Sequence, residues 1–143
     1  GSAAGDRWNA MTTTWVTQLS MEPVLLGVGV DNTAVTHRLI SEGGAFTVNL
    51  WPADETKVFV KFSKPAVRDG DTLNGFAVAL AAGGAPVFAD ALAWFACAVR
   101  HTLDLGSHTL FVGEVLDVAI LDDERRAANT SDTRMKYGGV KRH

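Results

Sequence analysis

Cysteine is nearly missing from these 143 residues: Cys97 stands alone, so no disulfide can form within the chain. It lies in the apolar run 91–99, where a small buried hydrophobe is expected. A chain without disulfides suits a reducing compartment, and the cytoplasm is the expected location. No apolar run reaches the roughly 18 residues that span a bilayer. Residues 1–9 carry neither a basic nor an apolar signal region, so no membrane partner is expected. Basic runs are missing apart from Lys141-Arg142, and the formal net charge is -3. Without a positive field, nucleic acid is not an expected partner. Metal-ligand spacing is missing as well: His37, His101, His108 and His143 form no close pair, no second cysteine assists them, and no metal is expected. Neither an internal repeat nor a low-complexity tract occurs.

What is present can fold. Hydrophobic residues make up 47% and charged ones 20%, enough for a core inside a charged surface, and the length suits a single domain over residues 1–143. Residues 11–20 mix Thr, Trp and Val and read as a strand with one hydroxyl-rich exposed side. After Glu22-Pro23, residues 24–30 form a continuous apolar run in which Gly27 and Gly29 permit close neighbours, as in a buried strand. Asp31, Asn32 and Thr33 offer three possible caps for a short helix whose apolar stripe is Val35, Leu39 and Ile40 and whose stop is Gly43-Gly44.

Residues 46–50 alternate like a strand. Pro52 and Asp54 then open a second helix in which Val58, Phe59 and Phe62 form one stripe. Residues 64–71 read as a loop, 72–82 are ambiguous, and 83–86 signal a turn. The longest β patterns are 92–103 and 108–121, joined at 104–107 by a hairpin signal. Strands outnumber helices without regular alternation, which points to a small barrel or sandwich with short added helices.

Generic chemical signatures are weak. Asp104, Ser107 and His108 have the residue types of a nucleophilic triad, but neighbours along a hairpin rarely aim at one another, and turn chemistry accounts for Asp104 and Ser107. Gly27-Val28-Gly29 lacks the third glycine of a dinucleotide loop. Hydroxyls on a strand followed by a Thr-bearing helix start suit an anion such as phosphate. The alternative is that Thr12, Thr13, Thr14 and Thr17 merely populate an exposed strand face.

Several segments carry more when taken in order: residues 9–20 (NAMTTTWVTQLS), 22–25 (EPVL), 36–40 (THRLI), 46–49 (FTVN), 84–87 (GAPV), 93–97 (AWFAC) and 107–115 (SHTLFVGEV). Together they resemble the flavin reductase-like family, whose domain is an FMN-binding split barrel, and 108–115 is the most specific piece.

The resemblance implies a mainly β, Greek-key-like split β-barrel with short flanking helices, lacking the family's first strand, because relatives carry a further strand upstream of residues 9–11. It implies that Met11, Thr12, Thr13, Thr14 and Trp15 lie along the flavin. Phosphate is expected at Asn32, Thr33, Thr36 and His37, with Asp31 capping the helix instead. Lys61, Phe62 and Ser63 match a second flavin-contacting element. Lys61 would pair with phosphate as a point charge, and Phe62 would touch flavin or pack in the core. His108 is placed near the hydride path or is a plain strand-start histidine. Arg134 and Tyr137 would close over the site.

The function so implied is a flavin reductase: NADH or NADPH passes hydride to FMN, or FAD, and reduced flavin supplies a flavin-dependent monooxygenase partner. An FMN-bound, flavoredoxin-like electron-transfer flavoprotein without NAD(P)H activity is the alternative, and a scaffold that has lost flavin binding is a third. A homodimer is implied, with flavin at or near its interface.

Overall fold

The two longest β-rich runs form the centre of the molecule. A computed structural model describes residues 1–136, which run through β1 (Ser2–Ala4), β2 (Arg7–Asn9), β3 (Val16–Met21), β4 (Val24–Asp31), α1 (Val35–Gly43) and β5 (Ala45–Leu50). They continue through α2 (Lys57–Lys61), β6 (Arg68–Asp69), β7 (Thr72–Leu73), β8 (Phe76–Leu80), β9 (Pro86–Phe88), β10 (Ala93–Asp104), β11 (His108–Ile120) and a single 3-10 turn, Thr130–Asp132. β10 and β11 lie at the middle of a five-stranded antiparallel sheet in the order β3-β4-β11-β10-β5. A second sheet follows the order β6-β7-β8-β9, and β1 and β2 form a hairpin. The mainly β class is as expected; the sheets do not close on one another.

Two apolar clusters hold these layers together. Val28, Val30, Phe46, Cys97 and Phe111 project from the large sheet onto Ile40 of α1. Burial there is tight at Gly113, where an added Cβ would fall 2.6 Å from Phe46 Cζ and 2.7 Å from Cys97 Cβ. The second cluster gathers Trp51, Val58, Phe62, Leu73 and Phe88 between α2 and the smaller sheet. Trp51 meets Phe76 and Phe88 edge-on, both at 5.6 Å, the arrangement that ring quadrupoles favour.

Several boundaries differ from expectation for local reasons. The strand expected over 11–20 begins at Val16. Thr12 donates its N–H to Phe62 O (3.0 Å) and its hydroxyl to Phe59 O (2.8 Å), which ties residues 11–15 to α2 and draws them off the sheet. Asp31 does not cap α1. Ala34 is the N-cap residue and its methyl offers no acceptor, while Asp31 Oδ1 accepts instead from Thr33 N–H (2.8 Å) and Thr33 Oγ1 (2.7 Å). The second helix starts at Lys57 rather than near Asp54: Pro52 bridges to Ala127, and Asp54 pairs with Arg125. The ambiguous stretch 72–82 contains β7 and β8, and β6 lies within the expected loop.

The 104–107 hairpin forms as expected. Asp104 Oδ1 accepts from Gly106 N–H at 3.0 Å, so its carboxylate serves the turn. Ser107 Oγ and His108 Nδ1 do meet, at 2.9 Å, contrary to the expectation for hairpin neighbours. With Asp104 committed elsewhere, no triad results.

Candidate functional site

Residues 11–15 cross the surface between α2 and the edge of the large sheet, and each of them faces one cleft of about 530 Å³. Trp15 closes one wall because Gly29 leaves it room. Gly29 donates its N–H to Trp15 O at 2.9 Å, and a Cβ on Gly29 would come within 3.1 Å of Trp15 Cε3. The indole also stacks near His108, with ring centroids 4.3 Å apart and planes tilted by 36°. His108 opens β11 directly opposite Asp31 of β4, so both project on the same face and line the cleft. Thr33 N–H, bonded to the Asp31 carboxylate, is the main reason that group is held below the usual carboxylate range.

The opposite wall comes from residues 128–136. Ala53 N–H donates to Arg126 O (3.0 Å) and Ala128 N–H to Trp51 O (2.8 Å), anchoring this segment at the end of β5. Asn129 accepts from Ser131 N–H, and Asp132 accepts from Asn129 N–H, a reciprocal cap around the 3-10 turn. Arg126 grips Asp132 at 2.6 Å; that guanidinium, helped by Asn129 N–H, holds the Asp132 carboxyl down at about 2. Asn129, Thr130, Thr133, Met135 and Lys136 are thereby brought over the cleft.

Of the residues expected at the site, Met11, Thr12, Thr13, Thr14, Trp15 and His108 are brought together. The others do not line this cleft. Asn32 braces the hairpin, donating to Gly106 O (2.7 Å) and accepting from Thr109 Oγ1 (2.6 Å). Thr33 bonds Asp31, Thr36 accepts from Asn9 Nδ2 (3.0 Å), and His37 Nε2 meets Thr109 Oγ1 (3.0 Å). Lys61 Nζ lies 5.2 Å from the centre of the Phe76 ring, Phe62 is buried in the aromatic cluster, and Ser63 donates to Val60 O. Arg134 is exposed and away from the lining, and Tyr137 lies outside the described residues.

Sequence reasoning missed Gly29, Asp31 and Phe59 as wall residues, and Lys136 as the cation of the cleft among the described residues. The Asn129-x-x-Asp132 capping pattern is the one signal that could have marked the second wall as ordered.

Beneath residues 11–14 lies a second cavity of about 350 Å³, walled by Val28, Val30, Ile40 and Phe46. Met11, Thr12, Thr13, Thr14 and Phe59 line both spaces and therefore form the partition between them. Trp51 Nε1 is buried without a hydrogen-bond partner among the described residues, and Trp51 lines this inner space.

The surface cleft combines the requirements of a flat, amphipathic cofactor. Its size falls within the range typical of small-molecule sites. Met11, Trp15, Phe59 and Met135 offer apolar surface, five threonines offer hydroxyls, and Lys136 offers a positive charge for an anionic end. The amides of Met11, Thr13 and Thr14 carry no partner among the described residues, whereas Thr12 and Trp15 spend theirs on Phe62 O and Thr13 Oγ1. These groups fit a flavin with its ribityl chain and phosphate. No three metal-ligating side chains gather among the described residues.

Fold and cleft together define a β-rich domain suited to an aromatic, phosphate-bearing cofactor. The chain belongs to the flavin reductase like domain family, whose model matches residues 1–139. It is 33% identical over 107 residues to the NADH-dependent flavin reductase StyB of Pseudomonas fluorescens, covering 75% of this chain and 60% of that one. Among solved structures it resembles BorF, the flavin reductase component of a bacterial two-component tryptophan halogenase, with 35% identity, a TM-score of 0.76 and coverage of 88% and 79%. It also resembles the NADH:FAD oxidoreductase SgcE6 of Streptomyces globisporus C-1027, at 27% identity and TM-score 0.76 over 88% of this chain and 70% of that one. The chain spans between about a fifth and two thirds of the length of the curated relatives it matches.

Proposed function

We propose that residues 1–143 form one flavin reductase domain that binds FMN in the surface cleft and reduces it with a nicotinamide cofactor. The observation that carries this reading is that Met11–Trp15 and His108, apart in sequence, converge on one cofactor-sized cleft in a chain of this family. When bound, flavin supplies the chemistry, accepting a hydride from the reduced nicotinamide and leaving in reduced form to serve a monooxygenase.

The protein's part is binding and orientation. Met11 and Phe59 support one side of a planar ring, and Met135 contributes apolar surface from the tail. Free amides of Thr13 and Thr14 and the threonine hydroxyls direct the polar edge and ribityl chain, while Lys136 balances the phosphate charge. His108 stands on the reductant side beside Trp15, and the tail over the cleft excludes water. Two copies pair, and the molecule works in the cytoplasm; among the described residues no helix is long and apolar enough to cross a membrane.

The test is loss of nicotinamide absorbance with purified protein, FMN or FAD, and either NADH or NADPH. Flavin-dependent oxidation of at least one reductant is expected. No oxidation with any combination sinks the reductase reading; tightly retained FMN reduced only by another protein would instead identify an electron carrier.

A further inference from the structure

Asp31 enters the cleft with half of its carboxylate uncommitted. Oδ1 takes both bonds from Thr33, at 2.8 and 2.7 Å, and these hold the side chain in place. Oδ2 accepts no hydrogen bond from any described residue. Directly across the strand pair stands His108, whose Nδ1 is engaged by Ser107 Oγ at 2.9 Å, and beside it the Trp15 ring at 4.3 Å. Three segments therefore place, on one face of the sheet, two neighbouring aromatic rings and a carboxylate edge.

These groups do different work from the rest of the cleft. The paired rings present a π surface, on which any nucleobase stacks. A carboxylate with a free oxygen accepts from a ribose hydroxyl, the use made of acidic residues in other dinucleotide sites. The same oxygen repels a phosphate, so this corner is unsuited to an anionic group. The cation that suits one, Lys136, comes from the other wall. Asp31 is exposed and held ionised at neutral pH by Thr33 N–H, so the repulsion is present under working conditions.

We infer that Trp15, His108 and Asp31 form the adenosine subsite for the reductant: adenine stacks on the ring pair and the ribose 2′-hydroxyl donates to Asp31 Oδ2. The site thereby accepts the dinucleotide with a free 2′-hydroxyl and rejects the one carrying a 2′-phosphate. This rests on the reductase reading and adds to it the choice of NADH over NADPH.

The experiment uses ADP-ribose and 2′-phospho-ADP-ribose, which contain the discriminating group and no nicotinamide. Each is titrated into the flavin-loaded protein while tryptophan fluorescence is followed, with Trp15→Phe identifying the part of the signal that comes from Trp15. ADP-ribose is expected to bind at least roughly tenfold more tightly than its 2′-phosphate, as like-charge contact predicts. Asp31→Asn keeps an Oδ1 acceptor for Thr33, so the turn survives while the charge is removed. In that variant the preference should shrink to within about threefold, mainly through tighter binding of the 2′-phosphate. Equal affinities in the native protein, an unchanged ratio in Asp31→Asn, or no binding of either ligand overturns the inference. Oxidation of both nicotinamides is assayed separately: discrimination by binding without any oxidation would refute the reductase reading and leave the subsite standing.

Discussion

Gly29 is a glycine because Trp15 occupies the space a side chain would fill. Adding a methyl there places Cβ 3.1 Å from Trp15 Cε3, closer than ordinary contact, so the indole must move by a few tenths of an ångström and loosen its contact with His108. Gly29→Ala should weaken ADP-ribose binding by roughly tenfold while changing fold stability by less than about 1 kcal/mol, since Ala is otherwise tolerated in a strand. Fluorescence titration and urea unfolding separate these effects, and unchanged ADP-ribose affinity would remove Trp15 from the ring pair. Cys97 makes a contrasting case. Its side chain is fully buried, and that burial pushes the thiol up to about 11. At about pH 8 it stays protonated and shielded. A thiol reagent should leave the native protein unmodified over a period in which the denatured chain is fully labelled.

Among the elements, the segment 126–136 depends on one latch that is sensitive to both charge and pH. Arg126 pairs with Asp132 six positions further on, and Asn129 caps the turn between them. The Asp132 carboxyl is depressed from 3.8 to about 2, so the folded segment binds fewer protons there than the released one. Its contribution is present in full above about pH 4 and is lost as pH falls through about 2. The tail should therefore remain docked through mild acid. Asp132→Asn should speed flavin release roughly twofold to fivefold at neutral pH, in keeping with an exposed pair. Stopped-flow displacement of flavin measures this; an unaltered release rate would show that the tail does not retain the cofactor.

The elements differ in how plainly the sequence announces them. β10 and β11 are legible because both are long, β-rich runs and the turn signal at 104–107 joins them as a hairpin. β6 and β7 have two residues each, too few for any period to register. Residues 11–15 have strand-forming composition, yet their hydrogen bonds to α2 override it, a tertiary effect that propensity cannot carry. The site divides in the same way. Its first wall is contiguous and could be recognised as a motif, whereas Lys136 reaches the cleft only through the capping and ion-pair contacts of a distant tail.

The assembled sheet carries its core face beyond the residues that cover it. β10 pairs Phe95 with Val118 and Ala93 with Ile120, while on its other side it pairs the same residues with Val48 and Leu50. Phe95 packs against the cluster containing Cys97 and Phe111, so Val118, Ile120 and Leu50 continue that apolar face toward the end of the sheet. There they are 45%, 71% and 39% exposed. An apolar surface continuous with the core is the feature expected where a second copy docks. The proposed homodimer should use it, and sedimentation should report twice the chain mass. Glutamates at 118 and 120 would put two charges per subunit into that contact at little cost to the isolated subunit, because both positions are open to water. Val118→Glu with Ile120→Glu should therefore yield a monomer whose urea midpoint, measured below the dissociation concentration of the native dimer, matches that of the native chain. A variant that still sediments as a dimer would place the contact elsewhere, and a native chain that is monomeric throughout would refute the pairing itself.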